Sequence, residues 1–278
     1  MSNLSDIKRR ITTVKQTRQI TGAMQTISVA KMHKSAETAQ RAQAYLTMIA
    51  ETMKSAISAD SGFVVPTDGK EVMLAIFSDK GLCGGFNNDI FATIKKAVDD
   101  NTLILPIGQA SLNYFKKVKN VDYRFLRFYL SGMNGAKEIS DYLLNGFGNG
   151  IKSISVVYSQ FNKQAGPVVE KLLPLEIAEN GADGDIVFEP SPQSVMDALV
   201  PLYLSSKIYG AICSNIAAEH GARHSAMSTA TESADELILQ LTSQYNRERQ
   251  TAVTGQIVEI AGATAALSRK GAGSEKRV

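Results

Sequence analysis

A glycine-rich run, "SDKGLCGGFN" (residues 78–87), directly follows the apolar stretch "EVMLAIF" and precedes a helix-forming one. At a strand-to-helix turn such a loop can cradle a phosphate, because glycines let backbone N–H groups close on an anion. The spacing is not G-x-G-x-x-G, and G-x-x-x-x-G-K-[ST] occurs nowhere in the chain. Two readings remain, a nucleotide cradle and a tight structural turn, and the spacing favours the turn. Cys83 lies in this loop with no His near it in sequence, which suits a small buried thiol. His220 and His224 are four apart and could share a helix face toward a metal. No third ligand and no H-E-x-x-H pattern accompany them. With no catalytic dyad, triad or metal cluster, the chain does not read as an enzyme on its own.

Composition narrows the classes further. A length of 278 residues suffices for a sizeable core, and 44% hydrophobic with 21% charged residues is ordinary for a globular chain. Cys83 and Cys213 are the two cysteines, so a disulfide framework or structural zinc site is not expected, and a reducing compartment is. No run reaches the roughly 20 apolar residues of a membrane span, and the opening "MSNLSDIKRRI" lacks the apolar stretch of a signal peptide. Any membrane role is therefore expected to be peripheral. The net charge of +3 argues against a dedicated nucleic-acid binder. Residues 1–66 nonetheless carry nine Lys and Arg against four acids, a solvated face or a basic edge for an acidic partner.

The elements that must position these residues are marked by their breakers. All seven prolines lie from Pro66 to Pro201, leaving two long proline-free ends. Near the start, Asn3 or Ser5 is a plausible N-cap, and Leu4, Ile7, Ile11 and Val14 step as a coiled-coil seam. The apolar phase then shifts near Thr17 to Ile20, Met24 and Ile27, and resumes at Leu46, Ile49 and Met53. A helix over about residues 4–58 would run on the order of 80 Å. Ala230, Ala234, Leu237, Leu241, Tyr245, Val253, Ile257, Ile260 and Leu267 repeat similarly, predicting a second helix over about residues 206–267. Between them strands at 71–78, 102–108 and 151–161 alternate with helices at 89–98, 109–118 and 136–147, and "PVVEKLLPLEI" reads as a strand returning beside the third. Such alternation implies a mainly parallel, doubly wound sheet. Residues 180–192 read as the exit linker. The expected fold is thus α/β, with a long antiparallel coiled coil of terminal helices (1–66 and 191–278) around a Rossmann-like middle domain (67–190).

Three stretches together carry a resemblance: "IKRRITTVKQTRQITGAMQTISVAKM", "SDKGLCGGFN" and "YNRERQTAVTGQIVEIAGATAAL". In this order and at these separations they resemble the gamma subunit of F-type ATP synthase, over essentially the whole chain. The resemblance implies a rotor shaft inside a ring of alternating alpha and beta subunits. Its middle domain, without nucleotide or other cofactor, would sit near the epsilon subunit and the membrane c ring. It implies a non-catalytic part at the cytoplasmic face of a bacterial plasma membrane. By motif match, Met24 and Arg223 lie where the shaft meets an acidic beta loop, Arg249 and Gln250 match a pair that hydrogen-bonds a beta catch loop, and Thr254 and Glu259 match further polar positions. Gln256 stands where that motif usually has Glu, and a short basic tail runs on past Leu267.

Overall fold

The computed structural model describes residues 2–56, 63, 68–99, 101–161, 166–175, 188, 189 and 191–274, with backbone alone for 2–3, 54–56 and 266–274. Five helices, α1 (Ser2–Ala56), α2 (Phe86–Ala97), α3 (Leu112–Phe115), α4 (Gly132–Gly146) and α5 (Pro192–Ser274), accompany four strands. The strands are β1 (Gly69–Ile76), β2 (Leu103–Ile107), β3 (Gly150–Ser159) and β4 (Pro167–Leu173), in the order β2-β1-β3-β4. The first two pairings are parallel, with Val72 opposite Leu103 and Ile154, and β4 closes the sheet antiparallel, Tyr158 opposite Val168. The expected α/β architecture of long terminal helices around a central sheet is the observed one.

Strand β1 is apolar on consecutive residues because helices cover both of its faces. Val72, Leu74 and Ile76 meet Ile139 and Leu143 of α4 and Leu204 and Ile208 of α5. Met73, Ala75 and Phe77 meet Ile90 and Ile94 of α2 and Phe115 of α3. Parallel strands buried on two sides take this continuous rather than alternating pattern. The helix expected over 109–118 is shorter, a 3-10 turn at Gln109–Ser111 followed by the single turn of α3. Phe115 packs edge-on to Phe77 and Phe91, and the chain then turns back so that Val121 bridges Ile104. That return leaves no room for a longer helix.

The last helix starts well before the expected residue 206. Pro201, read from sequence as a boundary, lies inside α5. A mid-helix proline costs roughly 3 kcal/mol, and burial of Met196, Val200, Leu204 and Ile208 around it offsets that cost. The linker expected at 180–192 lies largely outside the described residues, and the helix is already under way at Pro192. The first helix also begins early, at Ser2, so Ser5 stands within it rather than capping it.

The chain divides into two compact units, residues 25–226 and residues 1–24 with 227–278. In the larger unit α1 and α5 pair antiparallel, and Gly210 permits the approach: a Cβ there would lie 3.3 Å from Leu46 Cδ1. The smaller unit pairs them the same way. Thr21 Oγ1 meets Thr231 Oγ1 at 2.8 Å, and Arg18 Nε donates to Asp235 Oδ1 at 2.7 Å.

The seam itself corrects the sequence reading. No phase shift occurs near Thr17. Ile7, Thr21, Ser28 and Ile49, all in one heptad phase, are buried, and Val14, Ser35 and Ala42 in the same phase are half-buried. Ile20 and Ile27, expected to face inward, are 60% and 55% exposed, whereas Thr21 and Ser28 are 9% and 3%. Sustained heptad phase fixes which face turns inward, and hydroxyls fit there because each finds a partner. One hydroxyl of the Thr21–Thr231 pair donates across the seam, and the other donates back along its own helix, Thr21 to the Arg18 carbonyl or Thr231 to that of Met227.

Candidate functional site

The glycine loop is held from three directions. At its entry the Ser78 N–H donates to Asn87 Oδ1 at 3.0 Å, and Asn87 Nδ2 returns a bond to Ser78 Oγ at 2.8 Å. Behind it Cys83 is buried, within 3.5 Å of the Asn87 amide, and burial raises its thiol pKa above the usual range. The inert buried thiol expected from sequence is what the fold produces. From α5, Arg223 Nη2 donates to the carbonyls of Lys80 and Gly81 at 3.0 and 3.1 Å. The loop thus turns carbonyl oxygens toward a cation, whereas an anion cradle needs N–H groups. A cavity of about 420 Å³ adjoins the loop, and Asp89, the one charged residue among the described residues of its lining, would repel a phosphate. The geometry is that of a structural turn.

Arg223 is 7% exposed and forms a buried ion pair with Glu219 at 2.5 Å. The other Glu219 oxygen accepts a short bond from the Tyr129 hydroxyl. Burial, reinforced by the negative charge of Glu219, pushes Tyr129 well above the ordinary tyrosine range and keeps it a neutral donor. His220, one turn from Arg223 with Nδ1 at 3.1 Å from Nη1, has its pKa lowered to about 4 by burial and by the charges of Arg223 and Lys31. It stands there as a neutral acceptor. No grouping of His, Cys, Asp or Glu suited to a metal ion occurs among the described residues.

The residues singled out from sequence therefore fall into different settings. Arg223 is committed inside the larger unit. Met24 is half-buried on α1 in the smaller unit. Arg249, Gln250, Thr254 and Glu259 are all exposed on α5 of that unit, as is Gln256. Because the Thr21–Thr231 and Arg18–Asp235 pairs run in opposite directions, the first residue of α1 faces about residue 250. Beyond that level α5 has no α1 turn beside it among the described residues, and Val253, Ile257, Val258 and Ile260 are 49–68% exposed. The apolar repeat read there as seam is an uncovered surface. Glu219 and Tyr129 were missed by sequence reasoning. The signal available was "AAEHGAR", a charged i,i+4 pair set among small residues that let other chain approach closely.

Two long terminal helices with a central mixed sheet between them in the chain define a fold class, and solved structures share it. One is a chain of the Euglena gracilis mitochondrial ATP synthase, OSCP/F1/c-ring, rotational state 3, with TM-score 0.70 at 14% identity, covering 100% of this chain and 97% of that one. A second belongs to the central stalk/c-ring structure of the Tetrahymena thermophila mitochondrial ATP synthase, with TM-score 0.57 at 19% identity, covering 76% and 99%. Sequence comparison supplies the family. The ATP synthase family model matches residues 3–267. An ATP synthase gamma chain of Fusobacterium nucleatum is 32% identical, covering 96% of this chain and 100% of the relative. One of Flavobacterium johnsoniae is 35% identical over the same shares. This chain belongs to the ATP synthase gamma-chain family.

Proposed function

We propose that this chain is the non-catalytic central-stalk subunit of an F-type ATP synthase, turning inside a ring of alternating alpha and beta subunits. Ion flow through a c ring would drive that rotation, and the beta sites would make or hydrolyse ATP in response. Residues 1–66 and 191–278 supply the shaft, and residues 67–190 the domain nearer epsilon and the c ring. The complex would sit at the cytoplasmic face of a bacterial plasma membrane, with this chain peripheral to it. In keeping with that, no helix among the described residues is long and apolar enough to cross a membrane.

The observation that carries the reading is α5 beyond about residue 250, where every described side chain is exposed and four large apolar ones have no cover from the other described residues. Exposed apolar surface of this kind marks an interface, and the family supplies one, the bore of the alpha–beta ring. Arg249, Gln250, Thr254 and Glu259 stand on the same stretch, exposed where Arg223 is held inward, and are placed to touch beta. Met24, half-buried, supplies a smaller contact on α1. Polar residues interrupt the apolar ones on the α5 stretch, which lets the shaft meet each beta subunit in turn without one deep well.

Reconstitution tests the reading. Purified alpha and beta subunits of the same organism, assembled with and without this chain, are expected to take up one copy per hexamer with a changed ATPase rate. A competent ring that excludes the chain would refute it.

A further inference from the structure

Two segments distant in sequence converge on the Glu219–Arg223 pair of α5 within one unit: the carbonyls of Lys80 and Gly81, and the Tyr129 turn. The side chains of Tyr129, Glu219 and Arg223 are buried, at 3–7% exposure. Beside these polar bonds the packing is apolar, with Ala218 and Ala222 against the cluster that holds Cys83 and Phe86. Apolar faces of this kind resist separation but slide easily, since dispersion has no preferred direction. The Arg223 fork, donating to two successive carbonyls, fixes direction as well as distance. Immediately beyond the pinned carbonyls Leu82 sits at φ +62° with its side chain 65% exposed. A non-glycine residue holds that conformation only where its surroundings over-determine it.

We propose that Arg223, Glu219 and Tyr129 form a latch that fixes the glycine loop and the Tyr129 turn to α5, so that a turn of the helix carries the α/β domain with it. Arg223 is then a positioning residue acting through the loop rather than a partner contact. This deepens the central-stalk reading and rests on it. In that machine torque passes between helix and domain. Asn215 and Ser214 hold the end of β3 to α5 by the Ser159 and Phe161 N–H groups, and the latch is the directional join that holds the glycine loop and the Tyr129 turn. Loss of the latch would let the loop slip on the helix, and ATP would be hydrolysed with fewer ions moved.

The fold also offers a way to replace the latch. A Cβ at Gly84 would lie 3.8 Å from Ala226 Cβ, the separation typical of a disulfide. Gly84 sits at φ +60°, so the staple with Arg223 intact is the control and must keep the parent ratio of ions pumped to ATP hydrolysed. The experiment uses the assembled ATP synthase in sealed vesicles and reads ions pumped per ATP hydrolysed. Arg223→Ala is made alone and with Gly84→Cys and Ala226→Cys, each in a Cys83→Ser background to remove the neighbouring thiol. Arg223→Ala is expected to lower the ratio severalfold, the oxidised staple to restore it, and reductant to abolish the restoration in the same preparation. A parent-like ratio in Arg223→Ala, or a fully oxidised staple that leaves the ratio low, overturns the latch. Should Arg223→Ala not assemble, Glu219→Gln goes through the same cycle, and the same two results support or overturn the latch. A parent complex that assembles but shows no ATP-driven pumping refutes the central-stalk reading itself, before any latch variant is read.

Discussion

Residues 196–227 and 249–265 of α5 belong to one continuous helix yet meet opposite surroundings. Along the first stretch Met196, Val200, Leu204, Ile208, Ile212 and Met227 are buried, together with the polar side chains Ser205, Ser206, Asn215, Glu219 and Arg223. Along the second every side chain is exposed, including Val253, Ile257, Val258 and Ile260. Helix propensity does not account for the difference, since both stretches are rich in Ala, each carries two Gly, and the buried one even holds Pro201. What differs is the neighbour. The sheet and α1 cover the first, and none of the described residues covers the second beyond the level where α1 begins. The same apolar residue types are therefore core in one place and reserved surface in the other, and only the first set should matter to the fold of the isolated chain.

That contrast can be broken by substitution. The largest expected effect is Glu219→Ala, which strands the Arg223 charge and the Tyr129 hydroxyl in the interior. Removing one partner of a buried pair costs roughly 3–5 kcal/mol, readable as a lower urea midpoint at unchanged slope. Leu204→Ala removes a fully buried side chain and should cost about 2–5 kcal/mol in the same titration. Ile257→Ala and Ile260→Ala should stay within about 0.5 kcal/mol of the parent. A loss from either as large as that from Leu204→Ala would mean that α5 is covered there in solution, and the contrast would fail.

Smaller effects sharpen it. His220, held neutral with its pKa lowered to about 4, takes up a proton more readily once the chain unfolds. Below its unfolded value of about 6.5 the unfolded state binds more protons than the folded one. Stability should therefore fall as pH drops from about 6.5 toward 4, and be fully present above that window. His220→Asn should flatten this slope in melting temperatures taken across the window. Smallest of all is the paired change Thr21→Val with Thr231→Val. Replacing both partners of a buried hydroxyl pair by apolar groups of similar shape is nearly neutral. The melting temperature should hardly move, although both residues lie at the seam.

Much of this arrangement was legible beforehand. Buried strand β1, the glycine loop after it, the helix–strand alternation and the two long ends follow from apolar runs and breakers. The seam was legible only in part. Ile7 and Ile49 announce it, but between them the inward positions are Thr21 and Ser28, and Ile20 and Ile27 one residue away attract the eye. Apolar periodicity assumes that the inward face is the greasy one, and here a continuous heptad phase overrides composition. Pro201 misled for a related reason, because a strong breaker is tolerated where burial on both sides of it is dense. Arg223 was legible as important but not as internal. The carbonyls it holds lie 142 and 143 residues away in sequence, and no local pattern gives that distance. The exposed polar set from Arg249 to Glu259, expected from resemblance to touch beta, lies on the uncovered stretch, and its contact role belongs to the proposal.

The most direct test of the central claim is rotation. Both native cysteines are buried, so Lys96→Cys on the exposed end of α2 gives a single labelling point in the α/β domain. A bead attached there, on an alpha–beta ring fixed to glass and supplied with ATP, is expected to turn in one direction in discrete steps. Steady ATP hydrolysis by the assembled ring while the bead only fluctuates about one angle would contradict a rotating central stalk.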